Sequence, residues 1–225
     1  MDIYPDSMPR PSNRPKLLAI GHDLIHERGF AATSIRDIVQ AAGVPNGCFT
    51  NHFATKEAFG VEVINHHFVS TLKVFDRTLR NEALPPLKRI EAYFDVVIEH
   101  MRGDSARKGC LFGNFGIEAS PHSEAIRERV AEIFGELEKA IELCLVAAVH
   151  SKELPANQNA KDAAALIISA IQGAILLAKT RQSASAIEAV KRIVFTTILT
   201  DSGHGTKRSS KRPVGTQGAE EGVKR

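Results

Sequence analysis

The segment KGCLFGNFGIEAS, residues 108–120, sets Cys110 among three glycines (Gly109, Gly113, Gly116), two phenylalanines and Asn114. Three chemistries use such residues: a backbone cradle for phosphate, a reactive thiol, or a helix thinned so that a ligand can approach its backbone. The spacing G-x-x-x-G-x-x-G fits neither a dinucleotide fingerprint nor a Walker lysine loop, and no strand-like alternation precedes it, so the phosphate cradle is excluded. A thiol whose pKa is lowered by Arg107, Lys108 or Lys179 and a helix N-terminus would be a sensing nucleophile. The plainer alternative is a small buried hydrophobe. An interior helical glycine costs up to about 1 kcal/mol relative to alanine, so three in eight residues predict a short, loosened helix between longer ones.

Other residues with chemical potential point nowhere so specific. His22 and His26 stand four apart on a predicted helix, a spacing that can ligate a metal, but HDLIH lacks the glutamate that a zinc protease needs after its first histidine. They are read as hydrophilic residues on a helix surface. His66 and His67 are read as core-edge and surface residues. Cys48, Cys110 and Cys144 form neither a metal-type pair nor an even disulfide set. No Ser/His/Asp order carries a nucleophile-elbow signature, so no catalytic residue, metal or cofactor is expected.

Composition narrows the partners. The chain has 225 residues, 43% hydrophobic and 24% charged, with no tryptophan and two tyrosines; so few aromatics argue against a stacking platform for single strands. The net charge is +3, but residues 203–225 carry six Lys/Arg against Glu220 and Glu221, a net +4 that leaves the rest near −1. An anionic partner must therefore meet a local patch. The N-terminus is polar and proline-rich without an apolar signal core, and the runs LCLVAAV and AAALIISAI fall short of the roughly 18 apolar residues of a membrane span. A cytoplasmic protein with no membrane partner is expected.

The elements that must hold these residues are helices throughout. Residues 1–10 form an arm, and Leu17, Ile20, Leu24 and Ile25 mark a first helix over 14–28 that Gly29 stops. Thr33 or Ser34 caps a second, Pro45 starts a short third, and a fourth runs from near Ala54 to about Arg80. Three short helices joined by brief turns have the shape of a helix-turn-helix unit. Apolar stripes predict further helices over 87–101, about 126–145, 158–182 and 184–200. The prediction is an all-α chain of nine helices, with a basic tail from 203.

From Arg14 to Ile64 the chain resembles the DNA-binding domain of TetR-family transcriptional repressors. The family's pattern is a G-(Y/F) pair, then T-(S/T)-x-x-x-I-x-x-x-A-G-V, then a recognition helix closing on (Y/H)-F-x-x-K-E. It reads here as ERGFAATSIRDIVQAAGVPNGCFTNHFATKEAF. The resemblance implies a DNA-binding domain over 11–71 with its helix-turn-helix at 33–52, a ligand-binding and dimerisation domain over 72–202, and a homodimer formed by the last two helices on a palindromic double-stranded operator. Pro45, Asn46, Gly47, Thr50, Asn51 and His52 are expected to face the DNA. Asn can bond adenine bidentately, and Thr and His can serve base edges or phosphates. Thr33, Ser34 and Lys56 lie near helix N-termini that attract phosphate, and Arg14, Arg36 and Arg10 are further candidates. Thr50 replaces the family's usual tyrosine, Cys48 its Ser or Thr, and Pro45 its Ser.

Within the family, Gly109, Cys110, Leu111, Gly113, Asn114 and Glu118 are similar to the subgroup that contains the repressors of N-ethylmaleimide reductase and of acrylate metabolism. That subgroup responds to electrophiles, oxidants or small unsaturated acids. The likeness makes Cys110 a candidate sensor with Lys179 near it. Phe112, Phe115, Tyr93, Phe94, Met101 and Asn114 are candidate pocket lining for a small-molecule inducer. A helical carrier that has lost operator binding is the alternative, resting on Thr50 and Pro45.

Overall fold

The computed structural model describes residues 12–102 and 105–199, and among these there is helix and turn but no strand. The elements are α1 (Arg14–Arg28), α2 (Ile35–Ala41), α3 (Gly47–Thr50), α4 (Lys56–Arg77), α5 (Pro86–His100), α6 (Ser105–Lys108), α7 (Leu111–Glu118), α8 (Glu124–His150), α9 (Ala160–Arg181) and α10 (Ser185–Ile193). A π-helical turn, Val194–Ile198, continues α10. The expected arm at 1–10, with Arg10, and the basic tail at 203–225 lie outside the described residues.

Local chemistry sets the boundaries. Ser34 caps α2 in a reciprocal capping box, accepting from the Asp37 amide while Asp37 accepts from its own. Thr55 caps α4, Ser123 caps α8 and Asn159 caps α9. Nine helices were expected and ten are present among the described residues, because Gly109 at φ +71° divides 105–118 into α6 and α7. Glycine enters that left-handed region without steric cost.

Two hydrophobic cores stack end to end. One gathers Leu17, Ile38, Phe49, Phe53, Phe59 and Val63 around the first four helices and reaches Leu111, Phe115 and Ile126. The other is built by α5, α8, α9 and α10 around Ile90, Phe94, Ile141, Ile167 and Ile187. Helix α4 runs unbroken through the expected 71/72 boundary, and Leu72, Cys110 and Phe134 pack against both cores. The head is therefore fused to the body through α4 and α7.

One expectation from apolar run lengths needs correction. Helix α9, with 22 residues and mean hydropathy 1.7, is long and apolar enough to cross a membrane by length and composition. Gln172 and Gly173 interrupt its apolar run and hid this. Its Ala164, Ile167, Ile171 and Ala178 face fills the core between α8 and α10.

Candidate DNA-reading surface and ligand cavity

The head presents a polar ledge. Phe49 and Phe53 point inward and pack on Phe59, with ring centroids 5.1 and 4.7 Å away. That leaves Pro45, Asn46, Gly47, Thr50 and Asn51 exposed and His52 half-buried on the edge of Phe53. Nothing lies within 4 Å of where a Cβ on Gly47 would sit, so the ledge is open there. The Thr50 hydroxyl donates to the Gly47 carbonyl at 3.1 Å and folds back on its own turn. Ser34 and Arg36 are exposed beside the ledge.

Three expected DNA-facing residues are engaged otherwise. Thr33 is buried, its hydroxyl donating to the Gly29 carbonyl at 2.8 Å, because the turn after α1 needs that acceptor satisfied. Arg14 pairs with Glu62 at 2.7 Å and lies over Phe53. The Lys56 ammonium sits 4.5 Å from the centre of the Phe30 ring, and burial pulls its pKa below the ordinary lysine value.

In the body, a cavity of about 950 Å³ opens among α4, α5, α7, α8 and α9. Its wall includes Tyr93, Met101, Cys110 and Phe112, four of the eight expected ligand-side residues. The other four do not line it. Phe94 follows Tyr93 by one residue and so faces away, onto Phe195. Phe115 turns to the head and packs on Phe30 at 5.1 Å. Asn114 donates to the Lys108 carbonyl at 2.9 Å and accepts from the Lys179 ammonium at 3.2 Å, which tethers α6, α7 and α9 outside the cavity. Lys179 thus serves Asn114, its stem crossing Gly109.

The thiol departs from the lowered-pKa alternative. Cys110 caps α7, with the Gly113 amide donating to its sulfur at 3.5 Å. Burial nonetheless pushes its pKa above the ordinary thiol value. The Gly113 and Phe112 amides and the Gln172 side chain pull the other way and are outweighed. Cys110 is a neutral thiol in the cavity wall.

The junction between head and cavity holds what the sequence did not disclose. His26 is buried, not on the surface, and its Nε2 lies 3.0 Å from the Gly109 carbonyl. His22 Nε2 lies 3.0 Å from Nδ1 of His67, which lines the cavity against Phe112. With His66 they form one cluster of four rings. Burial first, then the neighbouring histidines, pull the His67 pKa down to about 3. No group of three or more potential ligands is arranged to hold a metal ion among the described residues. Glu118, at the far end of α7, accepts from the Ala31 amide at 3.1 Å. Pairing His22 with His67, 45 residues on, required knowing how α1 packs on α4.

A helix-turn-helix head fused to an all-helical body defines a DNA-binding regulator of helix-turn-helix type. Residues 17–63 match the family described as bacterial regulatory proteins, tetR family, and residues 86–194 match the tetracyclin repressor-like C-terminal domain. The chain is 32% identical over 192 residues to the HTH-type transcriptional repressor DhaR of Mycobacterium sp. (strain GP1), covering 85% of this chain and 95% of that one. It resembles the crystal structure of reduced E. coli NemR with a TM-score of 0.71 at 25% identity, over 82% of this chain and 96% of that one. The fold also matches a cysteine mutant of the TetR family transcriptional regulator CifR complexed with 26-bp double-strand operator DNA. There the TM-score is 0.72 at 18% identity, over 84% of this chain and 99% of that one. The chain belongs to the TetR family and is a transcriptional repressor of that type, not an enzyme.

Proposed function

We propose that this protein binds a palindromic operator as a homodimer and is released when a small molecule occupies the body's cavity. The observation that carries this is the double attachment of α7. Cys110 and Phe112 stand in the cavity wall, while Phe115 and Glu118 hold Phe30 and Ala31 of the head. A ligand that displaces one end of this two-turn helix must move or strain the other.

On the DNA side, Asn46, Gly47, Thr50, Asn51 and His52 enter the major groove behind Pro45, and Ser34 and Arg36 take backbone phosphates. Lys56 and Arg14 hold the ledge in shape through Phe30 and Phe53. The dimer forms through α9 and α10. Leu166, Leu176 and Leu177 lie exposed on one face of α9 with Gly173, and Ile193 is exposed on α10. Exposed apolar residues on one helical face mark an interaction site.

The test is fluorescence anisotropy with DNA selected by the protein from a random duplex library. Tight binding to a two-fold-symmetric sequence, lost on adding a cavity ligand, supports the reading. Only weak, sequence-independent binding at physiological salt would leave the helical carrier instead.

The position of Cys110 favours a second reading, covalent capture of an electrophile. Its sulfur adds to the β-carbon of an activated alkene, forming the S–C bond as the C=C opens, and the thiol proton ends on the α-carbon. The raised thiol pKa makes this slow at neutral pH. Unchanged release by the electrophile from the Cys110→Ser variant would sink it.

A further inference from the structure

Taking the cavity as the inducer site, we propose that it selects neutral, largely apolar molecules carrying one hydrogen-bond acceptor, which the Tyr93 phenol reads, and that it rejects carboxylates. This deepens the reading above by naming the ligand class, and it narrows a class for which small unsaturated acids were a candidate.

Tyr93 carries the inference. It is buried to 7% exposure in the cavity wall, with Phe75 edge-on to its ring at 6.3 Å. Its hydroxyl has no hydrogen-bond partner among the described residues, yet it is not among the sealed, unsatisfied polar atoms, of which the described residues have none. Because Tyr93 lines the cavity, this oxygen is taken to face it. A buried phenol of this kind ordinarily finds a partner, and a ligand acceptor supplies it.

The charge distribution supplies the other half. The ionisable side chains of the lining, Arg77, Asp95, Glu99, His100 and Arg102, are all exposed at the rim, and Arg102 is already paired with Glu99 and Glu188. Inside, the polar groups are neutral. The Cys110 thiol and the Tyr93 phenol are both held protonated by burial, and His67 is held uncharged. The Thr71 and Thr78 hydroxyls are spent on the His67 and Val74 carbonyls. Lys179, the cation close behind the wall, is bound to Asn114 outside it. A carboxylate passing the rim would shed its hydration and meet no cation inside, a cost that nothing within offsets. A ketone, ester or epoxide loses far less and gains the phenol's hydrogen bond.

The experiment compares three phenylalkyl probes on the full chain by calorimetry: methyl 3-phenylpropanoate, 3-phenylpropanoate and n-propylbenzene. All are saturated, so none can add to Cys110. The ester is expected to bind at least tenfold more tightly than the acid at pH 7.5. Tyr93→Phe, which keeps the ring and its packing, should weaken the ester about tenfold and leave propylbenzene unchanged. Unchanged thermal unfolding of the free variant excludes a folding defect. Equal or tighter binding of the acid, ester affinity indifferent to Tyr93→Phe, or no binding by either neutral probe overturns the proposal. Ester that binds with this Tyr93 dependence but fails to release operator DNA upholds it and overturns the inducer reading instead, so the two failures are distinguishable.

Discussion

Lowering the pH from 7.5 to 5 should loosen the junction between head and body, and His67 should be the main cause. Its pKa is drawn from 6.5 to about 3, first by burial and then by His22, His26, His100 and His66. The unfolded chain therefore binds a proton near pH 6.5 that the folded chain refuses until about pH 3. Stability is full above the unfolded value and falls as the pH drops through the window between the two. At pH 5 the unfolded imidazole lies about 1.5 units below its pKa, which at 1.36 kcal/mol per unit corresponds to about 2 kcal/mol. His67 is partly solvent-exposed, and screening reduces the expectation to about 1–2 kcal/mol. His26 shifts in the same direction, by burial above all and also through His22, Lys108 and His100.

Urea unfolding at fixed protein concentration measures this, because the proposed dimerisation would make stability concentration-dependent. At an m-value of about 2 kcal/mol/M, the wild-type midpoint should fall by roughly 0.5–1 M more than that of His67→Gln between the two pH values. The variant cancels the titrations that are not coupled to His67 in the difference. Parallel pH dependence in the two proteins would refute the reasoning, and a midpoint that rises on acidification would refute the sign.

Three further outcomes follow from particular contacts. Gly21→Ala should cost about 1–3 kcal/mol by calorimetry and abolish operator binding, since its Cβ would meet Phe59 Cζ at 2.3 Å inside the head core. Gly47→Ala, where nothing lies within 4 Å, should leave the melting temperature within about 1 °C while weakening operator binding, as should Asn51→Ala at its exposed site. Leu176→Glu should turn the dimer into monomer by sedimentation without loss of helix content, because Leu176 is 53% exposed on the outer face of α9.

How much of this was legible beforehand depended on whether a residue acts through its own helix or across two. Helix α1 could be read to its ends from Leu17, Ile25 and Gly29, since periodicity and a stop signal are local. The exposed ledge around Asn46, Gly47 and Asn51 followed from the apolar positions of Phe49 and Phe53. Thr33 was misplaced because an exposed N-cap and a buried turn hydroxyl look alike in sequence. Phe94 and Phe115 were misassigned because the chain from 86 to 118 faces two cores, and their share cannot be read before α5 and α7 are docked. The choice between the two readings of Cys110 stayed open for a similar reason. The basic neighbours Arg107 and Lys108 are local, whereas the burial that outweighs any local cation is supplied by distant helices.

The same distinction explains how a ligand in the body could unseat a reading ledge that shares no part of its cavity. Coupling needs an element with two anchorages, and α7 is held at one end by the cavity wall and at the other by Glu118 on Ala31. Gly29 makes that second anchorage possible. It stands at φ +96°, and a Cβ there would come 2.7 Å from both Glu118 carboxylate oxygens, so any side chain would push the carboxylate off the turn. His26 adds a third hold, onto the Gly109 carbonyl next to the sulfur-capped start of α7. A hundredfold loss of operator affinity needs about 2.7 kcal/mol of coupling. A charge-assisted hydrogen bond contributes about 1.5–3 kcal/mol when shielded and less at an exposed site such as that of Glu118, so release requires this contact and its neighbouring holds to differ between the two states. Glu118→Gln keeps the shape and removes the charge. It should therefore hold the fold while reducing the ratio of operator affinities with and without ligand, and an unchanged ratio would place the coupling outside this contact.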